Sequence, residues 1–172
     1  FEKPLHNCRL AIMILICTLR RLAIFLNLHL EKFYKSPMLQ AVQSCVRLNC
    51  FLKGLDIDPF ESFDLIAHGV CTKNKKPSPE IYEWTLEKLK LSAQSCIAIE
   101  DSPRGLDSAI SANIKVIVTP SELTTDESFM GAELVISDLG EAKKPFKQIH
   151  GKTHGEEFVN INLLKKIIES QK

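Results

Sequence analysis

Residues 96–120, CIAIEDSPRGLDSAISANIKVIVTP, contain two apolar runs separated by a segment with the features of a helix. The first run ends on adjacent carboxylates, Glu100 and Asp101, and Ser102 and the proline after it resemble a helix cap and a first helical residue. Asn113 marks the expected helix end, and IKVIVTP follows as a run that is apolar on both faces. Strands of this kind are typical of a parallel sheet covered by helices. The stretch therefore predicts a strand–helix–strand unit of an α/β fold.

The sequence on both sides of this unit extends the same pattern. Residues 63–69 (FDLIAHG) are predicted to form a strand, and residues 78–91 a helix with Ser78 as its N-cap. A short strand at 134–136 and a C-terminal helix at 161–170 follow, separated by an irregular polar stretch. We therefore predict the second half of a doubly wound, Rossmann-like parallel sheet with flanking helices.

The N-terminal third of the chain fits this pattern less well. We divide the sequence into a poorly matched part, 1–62, and the C-terminal half of an α/β core, 63–172. Within the first part, residues 9–17 suit a strand, and residues 20–33 and 38–53 suit helices.

Composition and charge exclude several classes of partner. Hydrophobic residues make up 45% of the chain, and 22 basic residues face 21 acidic ones, so no bulk charge attracts nucleic acid or an anionic membrane. The apolar run 10–19 is too short to span a bilayer, which takes about 20 apolar residues. The six cysteines have no zinc-ligand spacing, and we predict reduced thiols rather than a disulfide framework. Because the chain begins at Phe1 and not at methionine, we expect it to be part of a longer protein.

Glu100 and Asp101 are the first candidate site. Ligands of open α/β sheets bind beyond the carboxyl ends of the strands, where these two residues are predicted to lie. Adjacent carboxylates repel unless a cation joins them, and Mg²⁺ binds one or two carboxylates while leaving room for water and a phosphate. A helix starting after Ser102 adds N–H groups that favour an anion. The alternative is that Asp101 and Ser102 only cap the helix.

Lys76 is the second candidate. It precedes Pro77 in KKPSPEIY, and a residue before proline favours an extended backbone, here at a fixed place in a loop. From there its ammonium could reach a phosphate or a carboxylate beyond the strand ends. The alternative is that Lys73, Lys75 and Lys76 belong to a solvated loop.

Together the two candidates resemble motifs three and four of the haloacid dehalogenase-like (HAD) hydrolases. The pattern is K-P-x-P-E-I-Y and, one helix later, an apolar run followed by E-D-S-x-x-G and a strand. Residues 118–141 and 145–167 resemble the C-terminal part of the CbbY-type branch, whose members are sugar-phosphate phosphatases of photosynthetic bacteria and plastids. The resemblance covers residues 63–168 and implies a location in the cytoplasm or the plastid stroma.

The resemblance also implies roles for individual residues. Lys76 would be a catalytic and phosphate-binding residue that neutralises charge at the nucleophile and the phosphoryl group. Asp101 would bind Mg²⁺, with Glu100 as a further ligand or as the holder of a metal-bound water. Ser102 would bind phosphate and, with Gly105, shape the turn into the helix. The partner would be a small phosphorylated sugar, and the chemistry mainly positioning and charge stabilisation.

The sequence departs from the family pattern at the nucleophile and at motif two. It contains no D-x-D-G-T/V strand, and Asp56 and Asp58 in GLDIDPF lack both the following Gly-Thr and a preceding apolar strand. RLAIMILICT, residues 9–18, begins like motif two but has apolar residues where the family places hydroxyls. Cys17 and Thr18 are the polar candidates there, with Thr18 as the predicted phosphate ligand. A strand used only for packing is the alternative. The helical cap domain is expected to be absent.

Two functions follow from these observations. The first is a Mg²⁺-dependent phosphatase of small sugar phosphates, truncated and without turnover as given. The alternative is a non-catalytic HAD-like domain that binds a partner or a phosphorylated ligand, while a receiver or flavodoxin-like module would not explain both motifs. Without a motif-one strand, CIAIE and RLAIMILIC would lose a pairing partner, so we expect self-association through an unpaired sheet edge.

Overall fold

The structure of this protein is a computed structural model that describes residues 71–170, Leu65, Ala67 and the strand backbones at 11–14 and 39–41. The described helices are α1 (Glu80–Leu89), α2 (Pro103–Ser111) and α3 (Ile161–Glu169), with a 3-10 turn at Ala93–Ser95. The described strands are β1 (Ala11–Ile14), β2 (Leu39–Ala41), β3 (Cys96–Glu100), β4 (Lys115–Val118), β5 (Leu134–Ile136) and β6 (Gln148–Gly151).

The strands form one sheet in the order β2-β1-β3-β4-β5-β6. All pairs are parallel except β5 with β6, which is antiparallel. Every residue of β3 is buried, as expected for an inner strand of a parallel sheet with helices packed against it. The predicted α/β fold with a doubly wound, mostly parallel sheet is confirmed.

The β3–α2–β4 unit forms as its sequence predicts. Ser102 is the N-cap of α2, where its Oγ accepts a hydrogen bond from the backbone N–H of Gly105 at 3.3 Å. The helix ends before Asn113, whose φ of 59° is a left-handed conformation that asparagine tolerates better than most residues. The chain then enters β4 beside β3, with Ile97 opposite Lys115.

The start of α1 differs from the prediction by one residue. Pro79, and not Ser78, lies at the cap position, and it makes no side-chain capping bond. Glu80 instead organises the preceding loop, because its carboxylate accepts the backbone N–H groups of Lys73 and Asn74, each at 2.8 Å. This arrangement closes the loop that contains Lys76 against the first turn of α1.

Three predictions for the N-terminal part can be compared with the sheet. The strand predicted at 9–17 is present over β1, but the helix predicted at 38–53 is wrong at β2, which is a strand. The expected gap beside CIAIE is also wrong, because β1 pairs directly with β3, with Ile12 opposite Ile97. A strand of consecutive apolar residues suits such an inner position. The helix predicted at 20–33 lies outside the described residues.

The C-terminal region contains a strand that the sequence did not indicate. β6 lies within the stretch predicted to be irregular, and it is polar because it is an exposed edge strand. The predicted C-terminal helix is confirmed as α3. Asn160 caps it by accepting the Leu163 N–H at 2.9 Å, and Leu163, Leu164 and Ile167 are buried.

The structure also describes the state of a buried cysteine and the length and polarity of the helices. Cys96 is a buried free thiol, and burial raises its pKa to about 12. The described helices include none that is both long and apolar enough to cross a membrane.

Candidate functional site

The candidate site lies at the carboxyl end of β3, where Glu100 is the last strand residue and Asp101 follows it. The backbone N–H of Thr119, at the end of the neighbouring β4, donates to the carbonyl oxygen of Glu100 at 2.8 Å. This bond continues the parallel pairing one residue past β4 and fixes where the two acids leave the sheet. The loop before α1 brings Lys76 to the same place.

The carboxylate of Glu100 is surrounded by donors. Lys76 Nζ lies 2.8 Å from Oε1 and 3.1 Å from Oε2, and the hydroxyl of Tyr82 donates to Oε1. Glu100 is only 1% exposed, and Tyr82 is fully buried. Gly105 packs against the other side, since a Cβ at that position would overlap Glu100 Oε2. Glu100 thus occupies a closed space formed by three residues from α1, α2 and the loop.

Burial dominates the electrostatics of Glu100. Removal from water raises the pKa of its carboxyl group from the ordinary 4.5 to about 7. The charge of Lys76 and its hydrogen bond act in the opposite direction, followed by the hydrogen bond from Tyr82. Lys76 and Glu100 therefore form a buried ion pair. For the charged form of Glu100, the cost of desolvation exceeds the stabilisation by Lys76 and Tyr82.

Asp101 is held from two directions. Its backbone carbonyl accepts a hydrogen bond from Thr124 Oγ1 at 2.7 Å, and Thr124 lies in the loop between β4 and β5. On the other side, Ser102 and Gly105 begin α2, so Asp101 lies at a positively polarised helix end. Asp101 is 8% exposed, which places a carboxylate at the sheet edge in a largely desolvated position.

The described residues supply part of a metal site. They contain no group of three or more His, Cys, Asp or Glu side chains that could hold a metal ion. Both oxygens of Glu100 are engaged by Lys76, and one also by Tyr82, so Glu100 is poorly suited to bind a cation directly. The chemistry of Asp101 fits a hard cation as a single carboxylate ligand.

The structure brings most of the predicted site residues together. Lys76 meets Glu100, and Asp101 and Ser102 follow directly in the chain, whereas Thr18 lies outside the described residues. Sequence reasoning missed Tyr82 and Thr124. Tyr82 lies in the helix predicted at 78–91, and a buried tyrosine usually needs a hydrogen-bond partner for its hydroxyl. No local pattern indicates Thr124, because its contact with Asp101 depends on the fold of the loop between β4 and β5.

Comparison with known proteins shows which family the region around this site is similar to. Residues 42–119 match the family model described as haloacid dehalogenase-like hydrolase. Protein CbbY of Cupriavidus necator is 42% identical over 93 residues, which are 54% of this chain and 37% of that protein. A phosphorylated carbohydrates phosphatase of Thermotoga maritima is 39% identical over 66 residues, 38% of this chain and 30% of the relative.

A solved structure gives the same result. A mutant of CbbY from Rhodobacter sphaeroides, crystallised in complex with xylulose-(1,5)bisphosphate, aligns with a TM-score of 0.56 at 32% identity. The alignment covers 61% of this chain and 49% of the crystallised one. The chain spans about a third of the length of the two curated relatives, 37% and 30%. The part that this chain shares with these proteins is therefore similar to haloacid dehalogenase-like hydrolases, and CbbY-type proteins are among its relatives.

Proposed function

We propose that the site at the end of β3 is the metal- and phosphate-binding half of a Mg²⁺-dependent phosphatase for small phosphorylated sugars. One observation carries this proposal: the carboxyl end of β3 joins a buried carboxylate, Asp101, a lysine ammonium, Lys76, and the start of α2. An ammonium and a helix N-terminus both favour a phosphoryl group, and a carboxylate favours the cation that accompanies it.

Each residue has a role in this proposal. Lys76 neutralises charge on the phosphoryl oxygens, and Asp101 holds the metal ion. Glu100 acts through Lys76, because its two oxygens hold the ammonium in place at 2.8 and 3.1 Å. Ser102 Oγ accepts the Gly105 N–H, and a hydroxyl that accepts in this way can still donate its proton to a phosphate oxygen. Thr18 stays a prediction for a second phosphate ligand.

The metal would have one protein ligand among the described residues, Asp101. Mg²⁺ commonly keeps several waters and binds through one or two carboxylates and the substrate phosphate, so a single carboxylate is compatible with this chemistry. When bound, the ion would stabilise negative charge on the phosphoryl group. The chain's own contribution is to bring Lys76, from the loop before α1, and Asp101 together at the carboxyl end of β3.

The substrate class is proposed from the relatives. One of them is a phosphorylated carbohydrates phosphatase, and a crystallised CbbY mutant holds xylulose-(1,5)bisphosphate. A small sugar mono- or bisphosphate in the cytoplasm or the plastid stroma is the corresponding proposal for this chain.

The nucleophile is the part that this chain does not supply in the described sheet. The strands on the two sides of β3 are β1, with the sequence AIMI, and β4, with the sequence KVIV, and residues 3–30 contain neither aspartate nor glutamate. We therefore expect no turnover from the chain alone, and Mg²⁺-dependent phosphatase activity would contradict this expectation. The same observation supports a second candidate function, a non-catalytic domain that binds a phosphorylated ligand.

Metal and oxyanion binding test the proposal directly. The melting temperature of the purified chain is measured with millimolar Mg²⁺, with and without tungstate as a phosphate mimic. We expect an upward shift that Asp101→Asn abolishes. Asp107→Asn, an exposed acid on the same α2 helix, is the matched control and should keep the shift. No shift in the wild-type chain would reject the proposed half-site.

A further inference from the structure

The loop that contains Lys76 is attached to α2 at more than one point. The Arg104 guanidinium donates from Nη2 to the backbone carbonyl of Lys76 at 2.6 Å. Ser108, which is fully buried, donates from Oγ to the carbonyl of Ser78 at 2.6 Å. Both donors lie on the helix that begins just after the acids of β3, one on its first turn and one on its second. Lys76 is therefore held at its ammonium by Glu100 and at its backbone by Arg104.

This double attachment matters because a lysine side chain is flexible. Four rotatable bonds separate the ammonium from the backbone, so an ion pair at the tip alone would leave the base of the residue free to move. A short hydrogen bond from a charged guanidinium is among the stronger hydrogen bonds in proteins. Arg104 thus fixes the loop at the residue whose ammonium enters the site.

The two described contacts of Lys76 itself, with Glu100 and Arg104, come from one continuous segment. Glu100 ends β3, Arg104 lies in the first turn of α2, and Asp101 lies between them. The two residues that hold Lys76 and the proposed metal ligand therefore belong to a single strand–helix unit. A contact from a distant part of the sheet would couple the position of Lys76 to movements of other elements.

We propose that Arg104 is a positioning residue for Lys76, and that it presets the ammonium for an incoming phosphoryl oxygen. The role of Lys76 toward a phosphoryl oxygen rests on the proposed function. The attachment of Lys76 by Arg104 can be tested without any ligand. A surface arginine with only a general structural role would change overall stability and leave the reactivity of Lys76, relative to its neighbour, as it was.

The test is site-resolved acetylation of the lysines in the full chain, read by mass spectrometry. Lys75 is an internal reference, because it is exposed and its Nζ donates to the Thr72 carbonyl, away from Glu100. We expect Arg104→Leu to raise the Lys76-to-Lys75 labelling ratio about fivefold, as a bond of about 1 kcal/mol implies. Arg104→Lys, which keeps a charged donor, should restore part of the protection.

Two further variants keep the test decisive. Lys143→Gln removes an exposed cation in a turn outside the site and should leave the ratio unchanged. Ser108→Ala removes the second attachment and should raise the ratio by a smaller factor. If Arg104→Leu melts like the wild-type chain and its ratio is unchanged, or if Lys143→Gln raises it equally, the proposal is overturned.

A binding measurement separates this inference from the proposed function. Arg104→Leu should weaken tungstate binding several-fold while the Mg²⁺ midpoint of the thermal shift stays the same. If the wild-type chain binds neither Mg²⁺ nor tungstate, the proposed function fails, and the labelling result still decides whether Arg104 positions Lys76.

Discussion

Two lysine–glutamate pairs in this protein have nearly the same geometry and opposite electrostatics. Lys76 and Glu100 approach to 2.8 Å at the site, and Lys166 and Glu156 to 2.9 Å beside α3. The side chains of the first pair are 18% and 0% exposed, and those of the second 43% and 19%. Burial raises the pKa of Glu100, whereas the hydrogen bonds from Asn160 and Lys166 lower the pKa of Glu156.

The difference shows that solvent exposure, rather than the distance between the charged atoms, decides the direction in which the pKa of the glutamate shifts. Near water a lysine and a glutamate gain little from each other, because the solvent screens them and their ordering has an entropic cost. In a desolvated place the pair is costly by itself, and it persists where other contacts impose it. Perturbed groups of this kind cluster at functional sites, which agrees with the position of Glu100 at the strand end.

The largest expected effect is the loss of the buried ammonium. Lys76→Met would leave Glu100 buried with only the Tyr82 hydroxyl as a side-chain donor, and removing one partner of a buried pair destabilises by about 3–5 kcal/mol. We expect this loss of unfolding free energy at pH 8 in a urea titration, and a smaller loss at pH 5, where Glu100 binds a proton. Lys166→Met is the control and should unfold near the wild-type midpoint. Equal losses for the two variants would remove the distinction between the pairs.

The second effect is a dependence of stability on pH. The folded-state pKa of Glu100 is about 7, above its ordinary 4.5, so the folded protein binds this proton more tightly than the unfolded chain. The resulting stabilisation is complete below pH 4.5 and is lost as the pH rises through 7, by about 3 kcal/mol. Measured in EDTA, Glu100→Gln should flatten this part of the curve.

For the exposed pair of Lys166 and Glu156 we expect the opposite dependence of stability on pH. Because the pKa of Glu156 is lowered, its contribution is present above the ordinary carboxyl pKa of 4.5 and is lost as the pH falls below it. Glu156→Gln should therefore lower stability slightly above pH 4.5 and approach the wild-type value at the acidic end. If the unfolding free energy of Glu100→Gln changes with pH as steeply as that of the wild-type chain between pH 4.5 and 7, Glu100 does not titrate as described.

A smaller effect concerns the closed space around Glu100. A Cβ added at Gly105 would overlap Glu100 Oε2, and forcing an extra methyl into a packed interior costs about 1–3 kcal/mol. We expect Gly105→Ala to lose about 2 kcal/mol in urea unfolding, despite the higher helix propensity of alanine. At Gly155 a Cβ meets nothing within 4 Å, so Gly155→Ala carries only the strain of its φ of 82°. A smaller loss at Gly105 than at Gly155 would contradict the packing.

The smallest expected effect is the loss of one hydroxyl. Tyr82→Phe removes a donor to Glu100 and should lower the unfolding free energy by about 1 kcal/mol. The matched control is Thr85→Val on the same helix, since the buried Thr85 Oγ1 makes no hydrogen bond within the described part of the chain. Thr85→Val should be neutral or stabilising. If both variants lose the same stability, the Tyr82 hydroxyl contributes nothing specific to the site.

Much of the local structure could be predicted from the sequence. The apolar run of β3, the Ser102 cap and the end of α2 near Asn113 depend on neighbouring residues, and the structure has all three. The predicted start of α1 differs from the observed one by one residue. Glu80 accepts the N–H groups of the loop, which the cap pattern did not indicate. β6 could not be predicted because a polar edge strand has no alternation to reveal it.

By itself the sequence determined the class of fold and the chemical types at the candidate site: a lysine before proline, adjacent acids and a helix cap. These features are written in short patterns, since caps, turns and periodicity involve residues within one or two helical turns. Only the tertiary structure decided what each group does. Glu100 meets Lys76 and Tyr82 across 24 and 18 residues of chain, and Arg104 meets the Lys76 carbonyl across 28.

The pairing of β1 with β3 was likewise a tertiary result. An apolar strand can enter any inner position of a parallel sheet, and its sequence does not specify its neighbour. Burial works in the same way: whether an acid becomes a solvated surface group or a raised-pKa carboxyl depends on what packs over it. Local sequence patterns therefore indicate which residues form the site. The distances between these residues and their exclusion from solvent arise only when segments that are distant in the chain pack together.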